Sequence, residues 1–168
     1  FLTLHLGNWE LAIAGAASSG IPVDVVVKHA RHGGAEKFLQ WYRRKTGAGI
    51  FHEEGTAKDI LRSVTRGRFV GFVYDQFMGP PIGLPVRFFG KRAGTAVALA
   101  LLTEKREVPI LPAYSYRDKE GKVHVVFEPA LVMPVLSEDK EERLFQKTQF
   151  FNDVLEERVR RHPDQWLW

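Results

Sequence analysis

Short apolar or β-branched runs alternate along this chain with segments of helical spacing, and this alternation constrains the fold more than any other feature. Strands are predicted over residues 1–5, 23–28, 49–52, 69–74 and 108–116. Helices are predicted over residues 9–19, 35–45, 56–66, 95–104 and 137–161. The pattern predicts an α/β fold with a central, mostly parallel sheet and helices on both of its faces.

Two segments depart from the alternation. Residues 76–94 contain three prolines and four glycines, which predicts a long loop that is either functional or mobile. The sequence DKEGK at 118–122 is typical of a turn, and a further strand is predicted at 123–127. This pair of strands predicts an antiparallel hairpin at one edge of the sheet.

Composition limits the class of protein. With 168 residues, 45% of them hydrophobic and 26% charged, the chain is the size and composition of one globular domain. The absence of cysteine excludes a disulfide scaffold, a thiolate nucleophile and thiolate metal ligands. No apolar run approaches the roughly 20 residues that a membrane-spanning helix needs. Because both ends interrupt apolar segments, we expect a fragment of a longer protein that carries a single catalytic domain.

Positive charge is concentrated in one part of the chain. Between Lys28 and Arg92, 13 lysines and arginines face five acidic residues, an excess of eight, although the net charge of the whole chain is only +4. Such a field predicts an anionic partner, which is nucleic acid, anionic lipid, phosphate or an acidic carrier protein. The alternative is a solvated basic surface.

The segment HLGNWE places His5 at the end of a buried strand and Glu10 in the first turn of the following helix. Ligands of open α/β sheets bind outside the carboxyl ends of the strands, where a helix amino terminus presents N–H groups. If Glu10 accepts one ring N–H of His5, the other ring nitrogen can take a proton from a hydroxyl or from water. The alternative is a strand-end histidine that is merely capped by the carboxylate.

Five further charged positions stand out. Arg43 and Arg44 either bind a phosphate or cap the end of their helix. Asp75 follows a buried strand, where it orients Arg44 or His5 or else caps a loop. Arg87 and Lys91 lie in segment 76–94, where they either contact lipid phosphates or form a solvated loop surface.

Taken in order, these motifs resemble those of the bacterial lipid A biosynthesis acyltransferases, over nearly all of the chain. The blocks that carry the resemblance are HLGNWE at 5–10, Arg43-Arg44 before Gly47, Tyr74-Asp75-Gln76, PVRFFGK at 85–91 with AGT at 93–95, VPILP at 108–112 and PDQWLW at 163–168. One departure is at Lys28, where many members carry arginine followed by proline. This departure concerns residues expected to contact the acceptor substrate, and it leaves the His-x4-Glu motif intact.

The resemblance implies a glycerol-3-phosphate acyltransferase-like fold and a defined chemistry. An acyl chain would pass from an acyl carrier protein thioester, or from acyl-CoA, to a hydroxyl of a lipid A precursor or related glycolipid. His5 would be the general base, Glu10 would orient it, and the helix start at Gly7-Asn8 or Arg44 would stabilise the oxyanion. The thioester is a co-substrate, and neither a cofactor nor a metal is expected.

The resemblance also implies partners and a location. We expect an acyl carrier protein, a lipid A precursor and an anionic membrane surface as partners, at the cytoplasmic face of the inner membrane. The expected catalytic residues, which should converge at one end of the sheet, are His5, Glu10, Arg44 and Asp75. The expected substrate-binding residues are Gly7, Asn8, Arg43, Gln76, Arg87 and Lys91.

Two other functions remain open at this point. A lipid esterase using the same His5-Glu10 pair would ordinarily need a serine in a G-x-S-x-G elbow, and the chain has none. A nucleic-acid-binding module would suit the basic segment. We expect no nucleic-acid partner, because no helix of the predicted fold matches a known nucleic-acid-binding motif.

Overall fold

A computed structural model describes residues 1–27, 33–52 and 56–167 of the chain. Its helices and strands alternate as the sequence predicts. In chain order they are β1 (Leu2–Thr3), α1 (Trp9–Ser18), β2 (Val23–Val27), α2 (Gly33–Thr46), β3 (Gly49–His52), α3 (Thr56–Thr65), β4 (Phe69–Val73), β5 (Gly83–Phe88), β6 (Lys91–Ala96), α4 (Ala98–Lys105), β7 (Ala113–Arg117), β8 (Val123–Phe127), α5 (Lys140–Arg161) and the 3-10 turn Pro163–Gln165.

Four parallel strands form the central sheet in the order β1-β4-β2-β3. Leu2 lies opposite Phe72 in β4, and on its other side it forms a parallel bridge with Pro112, just before β7. Strand β7 then pairs with β8 in an antiparallel hairpin. The α/β fold and the hairpin beside one edge of the parallel sheet are therefore confirmed.

The core lies on both faces of this sheet. Leu2, Leu4 and Leu6 point to one side because side chains alternate along an extended chain, and all three are at most 1% exposed. They belong to one apolar cluster with Phe151 and Leu155 of α5. Burying each leucine side chain stabilises the fold by about 1.5–3 kcal/mol. Together these contacts fix the strand that leads directly into His5.

A smaller cluster on the other face holds α1 against the sheet. Val23 and Val25 of β2 are buried against Ala16, and Ile13 of α1 packs beside them. Helix α1 begins at Trp9 because Asn8 caps it, accepting the Leu11 N–H at 3.0 Å. The cap places Glu10 in the first turn, at the end of the sheet where β1 ends.

Residues 76–94 are not the long loop that their composition predicts. They contain the antiparallel hairpin β5–β6, whose turn residues Phe89 and Gly90 have φ angles of 50° and 73°. Two residues with positive φ are typical of a type I′ turn. Gly83 and Gly94 are required because a Cβ at either position would collide with the Met78 carbonyl. These glycines therefore indicate close packing of the backbone and not a mobile loop.

Other boundaries also differ from the prediction. Helix α4 begins at Ala98 instead of Thr95, whose buried hydroxyl accepts a hydrogen bond from Asn152 at 2.9 Å. The strand predicted over 108–116 is confined to β7, and the cap of α5 is Asp139 instead of Ser137. Lys28 lies outside the described residues. No helix within the described ranges is long and apolar enough to cross a membrane.

Candidate active site

His5 and Asp75 meet at the carboxyl ends of two neighbouring parallel strands, β1 and β4. The His5 Nδ1 atom lies 2.9 Å from Asp75 Oδ1, and the His5 backbone N–H donates to Asp75 Oδ2 at 2.9 Å. The side chains are 16% and 2% exposed, respectively. The predicted meeting of these two residues at one end of the sheet is confirmed.

The contact with Asp75 determines the chemistry of the imidazole. An ionised carboxylate only accepts hydrogen bonds, so Nδ1 carries the hydrogen and Nε2 is the basic nitrogen. The Trp9 ring stands edge-on to the His5 ring, with 4.6 Å between centroids and 85° between planes. A neutral imidazole held in this way can take a proton at Nε2.

Glu10 does not take the role that the sequence predicts for it. Its carboxylate accepts hydrogen bonds from Arg43, at 2.9 Å from Nε and also from Nη2. No described contact joins Glu10 to His5, and Asp75 occupies the position at Nδ1. The reason is geometric, because the loop that follows β4 brings Asp75 directly beside the end of β1.

The two arginines of α2 point in different directions. Arg43 lines the same cleft as His5, with its side chain only 12% exposed. Arg44 is exposed and lies beside Lys37, Trp41 and Lys45 on the outer side of the helix. Consecutive residues of a helix point about 100° apart, so only one of the pair can face the cleft. The expected convergence of Arg44 with His5 is therefore wrong.

Gly7 and Asn8 form the turn that starts α1. The Gly7 N–H donates to the Gln165 carbonyl at 2.9 Å, and the Asn8 N–H donates to Ser115 Oγ at 3.0 Å. Gly7 has a φ of 63°, and a Cβ there would overlap the Ser115 carbonyl. Because both N–H groups are already bonded within the protein, they do not serve as the oxyanion donors predicted for them.

The remaining predicted residues lie at the rim or beyond it. Gln76 is exposed and lines the cleft beside His5. Arg87 and Lys91 are exposed on the β5–β6 hairpin, on either side of its turn. The backbone of Arg87 is bonded to Gln149 of α5, at 2.7 Å through its N–H and 3.0 Å through its carbonyl. The hairpin is thus anchored while the cationic side chains face solvent.

The cleft beside His5 has a volume of about 670 Å³, which is within the range of small-molecule sites. Most of its walls are apolar, with contributions from Ile13, Val25, Phe72, Ile82 and Phe127. Burial raises the pKa of the Tyr74 phenol above its ordinary value, so this hydroxyl stays neutral near pH 7. The cleft combines one imidazole and one guanidinium with a long apolar wall.

Two residues of the site, Trp166 and Ser115, have no role among the catalytic or binding residues expected from the sequence, although Trp166 lies in the family-like block at 163–168. The Trp166 indole Nε1 donates to Asp75 Oδ2 at 2.9 Å, although 91 residues separate them. The Ser115 hydroxyl both accepts from Asn8 and donates to the Leu6 carbonyl at 3.1 Å. Both contacts connect distant segments, and no local spacing predicts such contacts.

Comparison with known proteins gives one family. Residues 1–168, the whole chain, match the family described as bacterial lipid A biosynthesis acyltransferase. No curated protein matches the chain at a significant level.

Proposed function

The chain belongs to the bacterial lipid A biosynthesis acyltransferase family, an acyltransferase family, and from that premise we propose that His5, oriented by Asp75, is the general base of acyl transfer. The donor is an acyl carrier protein thioester, and the acceptor is a hydroxyl of a lipid A precursor. The observation that carries the proposal is the His5 Nδ1–Asp75 contact of 2.9 Å at the wall of an apolar cleft. This contact leaves Nε2 as the nitrogen that receives the hydroxyl proton.

The proposed step is a direct acyl transfer. Nε2 of His5 takes the proton as the acceptor oxygen bonds to the thioester carbonyl carbon. The tetrahedral intermediate then collapses, the C–S bond breaks, and the thiolate recovers the proton from the imidazolium. Asp75 holds the ring and stabilises the imidazolium while it exists. The products are the acylated lipid and the free thiol of the carrier.

Arg43 supplies the positive charge that this step needs. Its guanidinium is fixed by Glu10 through Nε and Nη2, and it lines the cleft together with His5. A cation fixed in advance stabilises developing negative charge because it does not have to reorganise during the reaction. We assign Arg43 to the thioester oxyanion or to a phosphate of the acceptor lipid, and Glu10 to the orientation of Arg43.

The apolar wall of the cleft suits the acyl chain. Ile13, Val25 and Phe127 line the cavity and belong to the apolar cluster at the sheet face that α1 covers. Burying each methylene of a chain is favourable by about 0.8 kcal/mol, so the depth of such a cavity selects chain length. The thioester is the only co-substrate in this scheme.

Membrane contact is assigned to two exposed cationic surfaces. The hairpin cations are Arg87, Lys91 and Arg92, and the α2 cations are Lys37, Arg44 and Lys45. Phe38 and Trp41, which are 61% and 55% exposed, lie on α2 as well. Exposed aromatic side chains among lysines and arginines are typical of helices that lie at a lipid interface. The anionic surface is that of the cytoplasmic leaflet of the inner membrane.

The experiment is a transfer assay with defined donors and a defined acceptor. Purified protein is given acyl carrier protein thioester or acyl-CoA, with or without a lipid A precursor, and the lipid is analysed by mass spectrometry. We expect the acceptor to gain the mass of one acyl group, faster with the carrier protein thioester. Thioester cleavage at the same rate without the acceptor would instead identify a hydrolase, which transfers the acyl group to water.

A further inference from the structure

The two ends of the described chain pair with each other beside His5. Gly7 donates its N–H to the Gln165 carbonyl at 2.9 Å, and Leu167 donates its N–H to the His5 carbonyl at 2.9 Å. Between these bonds, Leu6 lies opposite Trp166 in an antiparallel bridge. The segment that carries His5 is therefore fixed by residues 165–167 as well as by β1.

The indole of Trp166 extends from this bridge to Asp75. Its Nε1 donates to Oδ2, which also accepts the His5 backbone N–H, and each distance is 2.9 Å. The other oxygen, Oδ1, faces the His5 ring. Three donors therefore hold a carboxylate that is 2% exposed, and each of them fixes its rotation.

Aromatic contacts hold the indole in place. Phe88 and Phe89, at the tip of the β5–β6 hairpin, lie 5.6 Å and 5.8 Å from the Trp166 ring, the first edge-on and the second stacked. The Arg160 guanidinium of α5 lies 4.9 Å from the centroid of the Phe89 ring. The hairpin thus packs directly against the indole, and α5 contacts the hairpin ring that stacks on it.

We infer that Trp166 is a positioning residue for acyl transfer: its indole N–H directs Oδ1 of Asp75 at His5 Nδ1 and so presents Nε2 to the substrate. This inference rests on the proposed role of His5. The indole N–H is a donor only, so it favours the ionised carboxylate and cannot accept a proton from it. A phenylalanine ring in its place keeps the apolar contacts but leaves Oδ2 with one donor fewer.

The test is Trp166→Phe, assayed for transfer across a range of pH. We expect kcat to fall about 10- to 100-fold, because a small misplacement of a reacting group can cost about 10²-fold in rate, with the KM for the thioester unchanged. Without the indole N–H, the negative charge of Asp75 has one stabilising donor fewer and attracts the proton of a protonated His5 more strongly. The acidic limb of the kcat/KM profile should therefore move to higher pH, and the defect should shrink in alkaline buffer.

Phe89→Leu is the matched variant, because it weakens the packing of the indole and keeps its N–H. We expect this variant to unfold at a lower temperature than wild type while its pH profile stays in place. A Trp166→Phe enzyme with the wild-type kcat and pH profile would overturn the inference. The inference would also be overturned if Trp166→Phe lost the same fraction of activity at every pH and Phe89→Leu lost as much.

His5→Ala in the same assay separates this inference from the function on which it rests. If His5→Ala is active, the proposed base is wrong, whatever Trp166→Phe does. If His5→Ala is inactive and Trp166→Phe behaves as wild type, the base stands and only the positioning role fails.

Discussion

His5, Asp75 and Trp166 form one hydrogen-bonded chain, although they lie at positions 5, 75 and 166. Glu10 and Arg43 form a second pair at the same cleft. The carboxylate nearest to His5 in sequence therefore serves the arginine, and the carboxylate 70 residues away serves the histidine. Because Glu10 and Asp75 have different partners, we expect their substitution to affect acyl transfer to different extents.

Asp75→Asn should impair acyl transfer more than Glu10→Gln does. An amide at position 75 presents N–H as well as C=O to His5 Nδ1, which disturbs the tautomer that leaves Nε2 basic. We expect at least about a 10²-fold loss of kcat for Asp75→Asn and a smaller loss for Glu10→Gln. Steady-state kinetics of both variants decide the question. A larger loss of kcat for Glu10→Gln than for Asp75→Asn would instead indicate that Glu10 is the carboxylate that orients His5.

Arg43→Gln should lower transfer activity without unfolding the protein. The substitution removes the cation from the cleft and leaves Glu10 without its partner. We expect a loss of at least about tenfold in kcat/KM. The matched control is Arg62→Gln on α3, an exposed arginine whose side chain pairs with Asp59. Equal activity of Arg43→Gln and Arg62→Gln would contradict a role for Arg43 in acyl transfer.

Some residues of the site are predictable from the sequence, but several of their hydrogen-bond partners are not. His5 and Asp75 were predictable because they end apolar strands of a parallel sheet, and parallel strands end at one edge. The partner of Glu10 was not predictable, because it depends on how α1 and α2 pack. The choice between Arg43 and Arg44 depends on the rotation of α2 about its axis, which two adjacent arginines do not reveal.

Individual helices and strands are tied together by charge as well as by apolar packing. Glu104 of α4 accepts hydrogen bonds from both Arg143 and Lys147 of α5, which lie one turn apart. These two cations lower the pKa of Glu104 from 4.5 to about 2. The ionised carboxylate therefore contributes to the stability of the fold, and this contribution depends on pH.

Glu104→Gln should change the acid stability of the fold in a specific direction. Because the folded pKa lies below the unfolded value, the contribution is complete above pH 4.5 and is lost as the pH falls toward 2. We expect the variant to have a lower Tm at pH 7 and a flatter decline of Tm over that acidic range. Thermal denaturation followed by circular dichroism measures both, with exposed Glu107→Gln as control. Parallel curves for wild type and Glu104→Gln would contradict the account.

The β5–β6 hairpin shows where composition misleads at the scale of an element. Its prolines and glycines resemble those of a loop, yet Gly83 and Gly94 are there because Met78 packs against them. Turn residues with positive φ join β5 to β6. Gln149 of α5 holds β5 in place by accepting a hydrogen bond from the Arg87 backbone N–H. These causes are tertiary contacts, which no local pattern contains. The parallel strands were predictable because continuous apolar runs indicate burial on both faces.

At the scale of the whole molecule, six of the 13 cations between Lys28 and Arg92 lie on two exposed surfaces, as the hairpin cations and the α2 cations. The hairpin cations flank the tip that carries Phe88 and Phe89, both of which contact Trp166. The α2 cations lie on the helix that carries Arg43 into the cleft.

Charge reversal should weaken the binding of the protein to anionic vesicles. Each lysine or arginine near such a surface contributes about 1 kcal/mol, and salt screens the attraction. We expect replacement of the hairpin cations or of the α2 cations by glutamate to reduce co-sedimentation, more at low salt than at high salt. The control carries the same change at three exposed lysines elsewhere, Lys119, Lys122 and Lys140. Equal binding of all the variants would leave both surfaces as solvated charge.

The central claim is that His5 takes the proton from the acceptor hydroxyl. The most direct measurement is the turnover of His5→Ala with acyl carrier protein thioester and lipid acceptor, beside His124→Ala on the β7–β8 hairpin as the matched histidine control. We predict a loss of at least about 10²-fold for His5→Ala, with its Tm retained, and turnover close to wild type for His124→Ala. Near-wild-type turnover by a folded His5→Ala protein would contradict the account.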